Sequence, residues 1–246
     1  MQNKLEICCY TVESAIKAQN AGADRIELCD NFSEGGTSPS YAAIHYCVNK
    51  LRIPTNVIIR PRGGDFLYSD IEFELIKKDV LECKNIGANG IVIGLLTANG
   101  DIDIDKTKAI MEIAKPMEVT FHRAFDMCNN HQKALSEIID LGIDRILTSG
   151  AKNKAIDGIN LITELINKAN NRIIIMPGSG INENNLKQIM KQTNAKEFHS
   201  SAKVFINSKM KNFNSEISMG GVGNIDEYAS ISVDSSSIIK MKNILK

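Results

Sequence analysis

The chain has 246 residues, 43% of them hydrophobic, with 29 Lys+Arg balanced by 29 Asp+Glu. That length and apolar fraction suit a soluble globular chain able to bury a sizeable core, and the charge balance argues against a generally basic nucleic-acid binder or a chain drawn to acidic membranes. No run approaches 18 apolar residues, and no basic segment precedes a long apolar stretch at the N-terminus, so neither a membrane span nor a secretory signal is expected and a cytosolic location follows.

Strand-like apolar runs recur along the chain: "LEICC", "RIELC", "NVIIRP", "GIVIGLL", "EVTFHRAF", "RILTSG", "RIIIMPGSG" and "EFHSSA". Their apolar starts lie near Leu5, Ile26, Val57, Ile91, Val119, Ile146, Ile173 and Phe198. Helix-like stretches separate them. After Ser38, Pro39 stands at a helix start and Ile44, Cys47, Val48 and Leu51 share one stripe. From Ile71, residues Phe73, Ile76, Val80 and Cys83 repeat at helical spacing, and Gly87 follows as a C-cap. The joints "AGADRIEL" (21–28), "IGANGIVI" (86–93) and "LGIDRILT" (141–148) repeat one pattern, in which a helix ends in Gly and a short polar step enters a strand. Alternating βα units with near-continuous apolar strands predict a parallel sheet covered on both faces. Eight such units predict a single-domain α/β fold, a (β/α)8 TIM barrel spanning 1–246. An open doubly wound sheet is the alternative, weakened because no G-x-G-x-x-G follows the first strand. The last helix is expected after an irregular 204–233 segment, with Asp234 as its cap.

In such a barrel the site lies at the C-terminal ends of the strands. Glu6-Ile7-Cys8 and Glu27-Leu28-Cys29 sit on the first two strands, and residues two apart share a face. Leu5, Ile7, Cys9, Ile26 and Leu28 suit the helix-facing side. That parity sends Glu6, Cys8, Glu27 and Cys29 inward, each Cys nearer the mouth than its Glu. Two neighbouring thiols suit a soft ion such as Cu(I); they also suit plain core packing, since free Cys packs as a small hydrophobe. Buried glutamates need partners. Arg60 and Arg62 after the third strand, His122, Arg123 and Asp126 after the fifth, and His199 in the eighth are the candidates. Read as a catalytic pocket, Glu6, Glu27, His122 and His199 would move protons and Arg60 would neutralise a substrate's charge. The "MPGSGI" turn offers Gly178, Ser179 and Gly180 beside a helix beginning near Asn182, and with Ser200 and Ser201 it makes a candidate anion site. The bland reading of these groups is a salt-bridged barrel core and a glycine turn. The six Cys (8, 9, 29, 47, 83, 128) include no C-x-x-C, so no structural zinc site is expected. Cys47 and Cys83 read as core, Cys128 as a loop thiol, and His45 and His131 as surface or structural residues.

Read together, "LEICCYTVESA", "GADRIELCDNFSEGGTSPS", "NVIIRPRGGDF", "VTFHRAFDM", "ILTSGA", "IIIMPGSGI" and "EFHSSA" resemble the CutC family of copper homeostasis proteins, as do, more weakly, "MGG" (219–221) and "EYASISVD" (227–234). The resemblance implies a (β/α)8 barrel, a cytoplasmic location, copper handling without an organic cofactor, and a homodimer or higher homo-oligomer. It also implies a copper site at the cysteines ending the first two strands, here Cys8 and Cys29. Cys9, Cys47, Cys83 and Cys128 lie outside the family motif. The alternative carried by the residues themselves is an isomerase- or lyase-like barrel enzyme acting on a small anionic or phosphorylated substrate.

Overall fold

The structure is a computed structural model, which describes residues 3–214, 216, 217, 219 and 226–246. Gly220 and Gly221 of the quoted "MGG" stretch lie outside the described residues. Eight parallel strands form the barrel: β1 (Lys4–Cys9), β2 (Arg25–Leu28), β3 (Thr55–Ile58), β4 (Gly90–Ile93), β5 (Glu118–Phe121), β6 (Arg145–Thr148), β7 (Ile174–Pro177) and β8 (Glu197–Ser200). The hydrogen-bonded order runs from β7 through β1 to β8, and β8 packs beside β7 to bring the ends together. Outside lie α1 (Val12–Asn20), α2 (Tyr41–Lys50), α3 (Asp70–Ile86), α4 (Ile104–Ala114), α5 (His131–Asp140), α6 (Ile159–Ala169), α7 (Leu186–Thr193) and α8 (Ser235–Leu245). This is the (β/α)8 barrel expected from the alternating pattern.

Local chemistry explains the elements. Ser69 and Glu72 form a reciprocal capping box at the start of α3, and Gly87 closes the helix in the left-handed conformation. Ser40 caps α2, so Pro39 stands just before the cap and not in the first turn. The repeated joints have a second use. Asp24, Asn89 and Asp144 each accept a hydrogen bond from a backbone N–H in the first two residues of the preceding odd-numbered strand, at Leu5, Thr55 and Val119. One polar residue thus ties a helix exit to two strand entries.

The main apolar core lies between strands and helices and includes Leu5, Ile7, Cys9, Ile26, Leu28, Cys47, Cys83 and Cys128. A smaller cluster inside the barrel holds Cys8, Cys29, Ile58 and Val92. The segment expected to be irregular differs: β9 (Lys203–Asn207) and β10 (Ala229–Val233) pair as an antiparallel ribbon. The apolar, β-favouring run in "KVFIN" and the alternation in "ASISV" carry that signal, masked by the Asn- and Ser-rich residues around them. Asp234 caps α8, its carboxylate accepting from the Ser236 N–H.

Candidate metal and acid-base site

The ladder between β1 and β2 is offset by one side-chain layer. Glu6 stands opposite Arg25, and Cys8 opposite Glu27. On the other side of β1, Glu6 stands opposite His199. The two Glu-x-Cys pairs therefore do not lie level. Glu6 belongs to a lower ionic layer, while Glu27 rises to the level of Cys8, with Cys29 above it.

The lower layer is a chain of ion pairs. Arg25 Nε donates to Glu6 at 2.5 Å and its Nη2 to Glu197 at 2.8 Å. Arg145 Nε donates to the same Glu197 oxygen at 2.7 Å, and its Nη2 reaches Glu118 at 3.3 Å. Glu6, Arg25 and Arg145 are 1%, 4% and 2% exposed, so each charge depends on its partners. His199 Nδ1 meets the other Glu6 oxygen at 2.8 Å, and its Nε2 lies 3.7 Å from Glu27. His199 thus spans the two carboxylates.

Above it, the Cys8 and Cys29 sulfurs are 3.5 Å apart, and Cys29 Sγ lies 3.3 Å from Glu27 Oε2. Both cysteines are free. One donor atom from each of Cys8, Glu27 and Cys29 falls within 4.8 Å of the others, close enough to share one metal ion. Tyr10 packs against this layer from the mouth.

Electrostatics divide the members. The hydrogen bond from Cys29 pulls the Cys8 thiol well below its usual range, against burial and with help from His199. Burial pushes Cys29 well above its range, and the neighbouring Cys8 sulfur adds to the rise. Burial likewise pushes the Glu27 carboxyl up. Burial disfavours a charged His199, but Glu27, Cys8 and Glu6 overcome it and raise the imidazole well above its ordinary value. Burial also opposes an ionised Glu6, yet Arg25 and then His199 hold its carboxyl well below the carboxylate range. These directions set the two layers apart: Cys8 and Glu6 are pushed toward their ionised forms, while Cys29, Glu27 and His199 are pushed toward holding a proton.

Of the partners the sequence offers for the glutamates, His199 fills that role, together with Arg25, which it does not single out; Arg60 and His122 are engaged elsewhere. Arg60 donates to three main-chain carbonyls, those of Glu34, Gly36 and Gly64. His122 accepts the Ala124 N–H at Nδ1. Arg62 pairs with Asp65 and Glu72 at the surface, and Arg123 with Asp126. The missed residues Arg25, Arg145 and Glu197 had a readable signal: Arg25 shares inward parity with Glu27, and Glu197 with His199.

Part of the candidate anion turn is bonded to the protein itself. The Gly178 N–H donates to the Thr148 carbonyl, Ser179 Oγ to Asn153, and Ser200 Oγ to Ile181. Ser201 follows, half-buried. Helix α7 begins at Leu186, four residues later than Asn182, because 183–185 form turns. A Cβ on Gly178 would run into Leu147 and press on His199. Gly178→Ala is therefore expected to cost about 1–3 kcal/mol by overpacking and to shift the His199 imidazole resonance. Urea unfolding and imidazole NMR check this, and an unchanged midpoint with an unmoved resonance would refute the packing role.

A parallel barrel with a dithiol–carboxylate cluster at its mouth, able to hold one metal ion, defines the class of protein. The family comparisons narrow it. The model of the CutC family matches residues 3–204, and the chain belongs to that family. It is 45% identical to the human "Copper homeostasis protein cutC homolog" over 98% of this chain and 89% of the human one. A CutC family protein of Bacteroides fragilis is 50% identical over 93% of this chain and 92% of its own. The crystal structure of a Streptococcus agalactiae CutC superposes with a TM-score of 0.78 at 33% identity, covering 81% of this chain and 98% of that one. Phosphoribosylanthranilate isomerase of Thermotoga maritima shares the barrel alone, at 11% identity and a TM-score of 0.59 over 99% of this chain and 98% of that one.

Proposed function

We propose that the chain binds Cu(I) through Cys8 and Cys29 and serves copper homeostasis. The observation that carries this reading is the pair of free sulfurs 3.5 Å apart at the ends of adjacent strands. Thiolates are the ligands that soft monovalent copper prefers, and a buried apolar shell of Ile58 and Val92 limits competing water. The carboxyl of Glu27 supplies a third, harder donor in reach. The relatives named for copper homeostasis support the same reading. It places the chain in the cytoplasm as a homodimer or higher homo-oligomer, with the copper ion as its partner. The balanced charge fits the absence of a nucleic-acid partner, and among the described residues no helix is long and apolar enough to cross a membrane.

The test is a competition titration against a chromogenic Cu(I) chelator under reducing conditions. The wild type is expected to take one Cu(I) per chain, and a Cys8→Ser, Cys29→Ser double variant to lose at least 100-fold in affinity, about 2.7 kcal/mol. An unchanged affinity in the double variant would sink the site.

A second reading has one specific observation behind it. His199 bridges two carboxyls that their surroundings push in opposite directions, Glu6 down and Glu27 up, which is an arrangement suited to proton transfer. On that reading the barrel is an isomerase- or lyase-like enzyme acting on a small anionic or phosphorylated substrate, and Glu27→Gln abolishes its turnover.

A further inference from the structure

Of eight buried side-chain polar atoms without a hydrogen-bond partner among the described residues, three belong to residues that follow β3 and β5 at the barrel mouth. They are Nε of Arg60, Nε2 of His122 and the hydroxyl of Tyr68. The three residues are 6%, 5% and 4% exposed. Such orphans are rare and point to something that completes them.

Their chemistry is of one kind. His122 Nδ1 accepts the Ala124 N–H, so the proton of the neutral ring sits on Nε2, which becomes a donor. Burial, and then the Arg60 charge, hold His122 down to about 3, so the ring stays neutral. Arg60 Nε is a donor, and Tyr68 can donate or accept. Tyr68 lies beside Arg60 without completing a hydrogen bond to it. Arg60 is a buried cation held only by three neutral carbonyls, with no ion pair among the described residues. Buried charges ordinarily have a counter-charge. The lower layer of this barrel obeys that rule at Arg25 and Arg145, and Arg60 departs from it.

What fills the space is Phe66. Its ring lies 4.9 Å from the His122 ring, and the Arg60 guanidinium carbon lies 5.1 Å from its centroid. Phe66 belongs to the connection between β3 and α3, just after Gly63 and Gly64, where Gly64 has φ of 80°. Its carbonyls are held at several points: the Leu96 N–H donates to that of Phe66, Arg60 Nη2 to that of Gly64, and the Arg62 guanidinium to those of Gly63, Asp65 and Leu67. On the far side, Gly94 leaves room for the imidazole, since a Cβ there would collide with it.

We propose that Arg60, His122 and Tyr68 form a binding site for a small oxyanion, a carboxylate or phosphate group, and that Phe66 is the plug covering it. The anion supplies the missing counter-charge to Arg60 and accepts from Arg60 Nε and His122 Nε2. His122 acts here as a neutral donor and not as a proton carrier. Entry requires the Phe66 ring to swing out about the two glycines.

The plug makes the site testable by gain of binding. Where the open state is a minor population, apparent affinity falls by that fraction, so removing the plug restores it. The chain has four histidines, so selective 15N labelling gives a spectrum simple enough to assign, with His122→Asn identifying the His122 signal. Inorganic phosphate and malonate are titrated separately. At least one is expected to move the His122 Nε2 resonance, with a dissociation constant at least 10-fold lower in Phe66→Ala than in wild type. Adding Arg60→Gln to Phe66→Ala is expected to abolish the response. Should Phe66→Ala lose the dispersed spectrum of the fold, Phe66→Leu, which keeps apolar packing, takes its place. Phosphate acting alone marks a phosphorylated ligand and malonate alone a carboxylate. The proposal is overturned if neither anion moves the resonance in any variant up to about 50 mM, past the millimolar range of weak binding. It is equally overturned if the response survives Arg60→Gln, or if the plug variant binds no more tightly than wild type.

Discussion

Glu197→Gln is expected to lower the unfolding free energy by about 3–5 kcal/mol at pH 7, because it breaks a buried ion pair from one side only. One Glu197 oxygen receives both Arg25 at 2.8 Å and Arg145 at 2.7 Å. A neutral amide leaves two buried guanidiniums with reduced compensation. Among the described residues Arg145 then keeps an ion pair with Glu118, whose side chain is 54% exposed, and a hydrogen bond to the neutral Thr120 hydroxyl. Replacing the layer as a whole by apolar residues is a different experiment and need not destabilise at all, since a buried ion network repays its desolvation poorly. Urea unfolding followed by circular dichroism reads the difference, and an unchanged slope confirms that the same surface is exposed. A loss below about 1 kcal/mol, the size of a surface ion pair, would mean that the layer is not a structural keystone. The acid limb carries a second expectation. Burial raises Glu197, but Arg145 and Arg25 outweigh it and leave the carboxyl below its ordinary value. Its stabilisation is therefore complete above the unfolded value of about 4.3 and fades as pH falls through the lower folded value. The variant is expected to show a correspondingly flatter acid limb.

Much of the fold was legible because two signals agreed. Apolar runs near Leu5, Ile26 and Val57 marked strands, and the recurring Gly-containing joints at 21–28, 86–93 and 141–148 marked the period. Parity placed Glu6, Cys8, Glu27 and Cys29 inside. It could not give the ladder offset, which depends on pairing between strands and not on either strand alone. That offset sets Glu27 level with Cys8 and joins two features that looked separate. Arg25 escaped notice because it opens its strand, where a charge usually reads as an exposed end; inside a closed barrel the same position faces a dry interior. Arg60 and His122 were legible as mouth residues, but their partners were not. Those are loop carbonyls and an aromatic ring whose contacts carry no periodicity in the sequence.

The two glutamates offer the sharpest contrast, because one substitution applied to each is expected to act in opposite ways. Glu6 is ionised and receives Arg25 and His199. Glu6→Gln removes the charge both depend on and is expected to cost about 3–5 kcal/mol at pH 7. Burial pushes the Glu27 carboxyl up, toward the form that keeps its proton. Gln resembles a protonated carboxyl in shape and charge, so Glu27→Gln is expected to stay within about 1 kcal/mol of wild type at pH 7 or to exceed it. The pH profiles separate the two further. A carboxyl whose folded value is lowered, as at Glu6, gives stability that is lost as pH falls through that value. A carboxyl whose folded value is raised behaves in reverse. Between the unfolded value of about 4.3 and the raised folded value, the native chain holds a proton that the unfolded chain has released, so stability declines as pH rises. Glu27→Gln removes that decline, whereas Glu6→Gln weakens the acid limb. Urea midpoints measured from pH 4 to pH 9 for both variants test the pair together. Equal losses at pH 7 would mean that both carboxyls are ionised in the native state. The division of the site into a charged lower layer and a proton-bearing thiol layer would then fail, and with it the second reading, in which His199 carries protons between them.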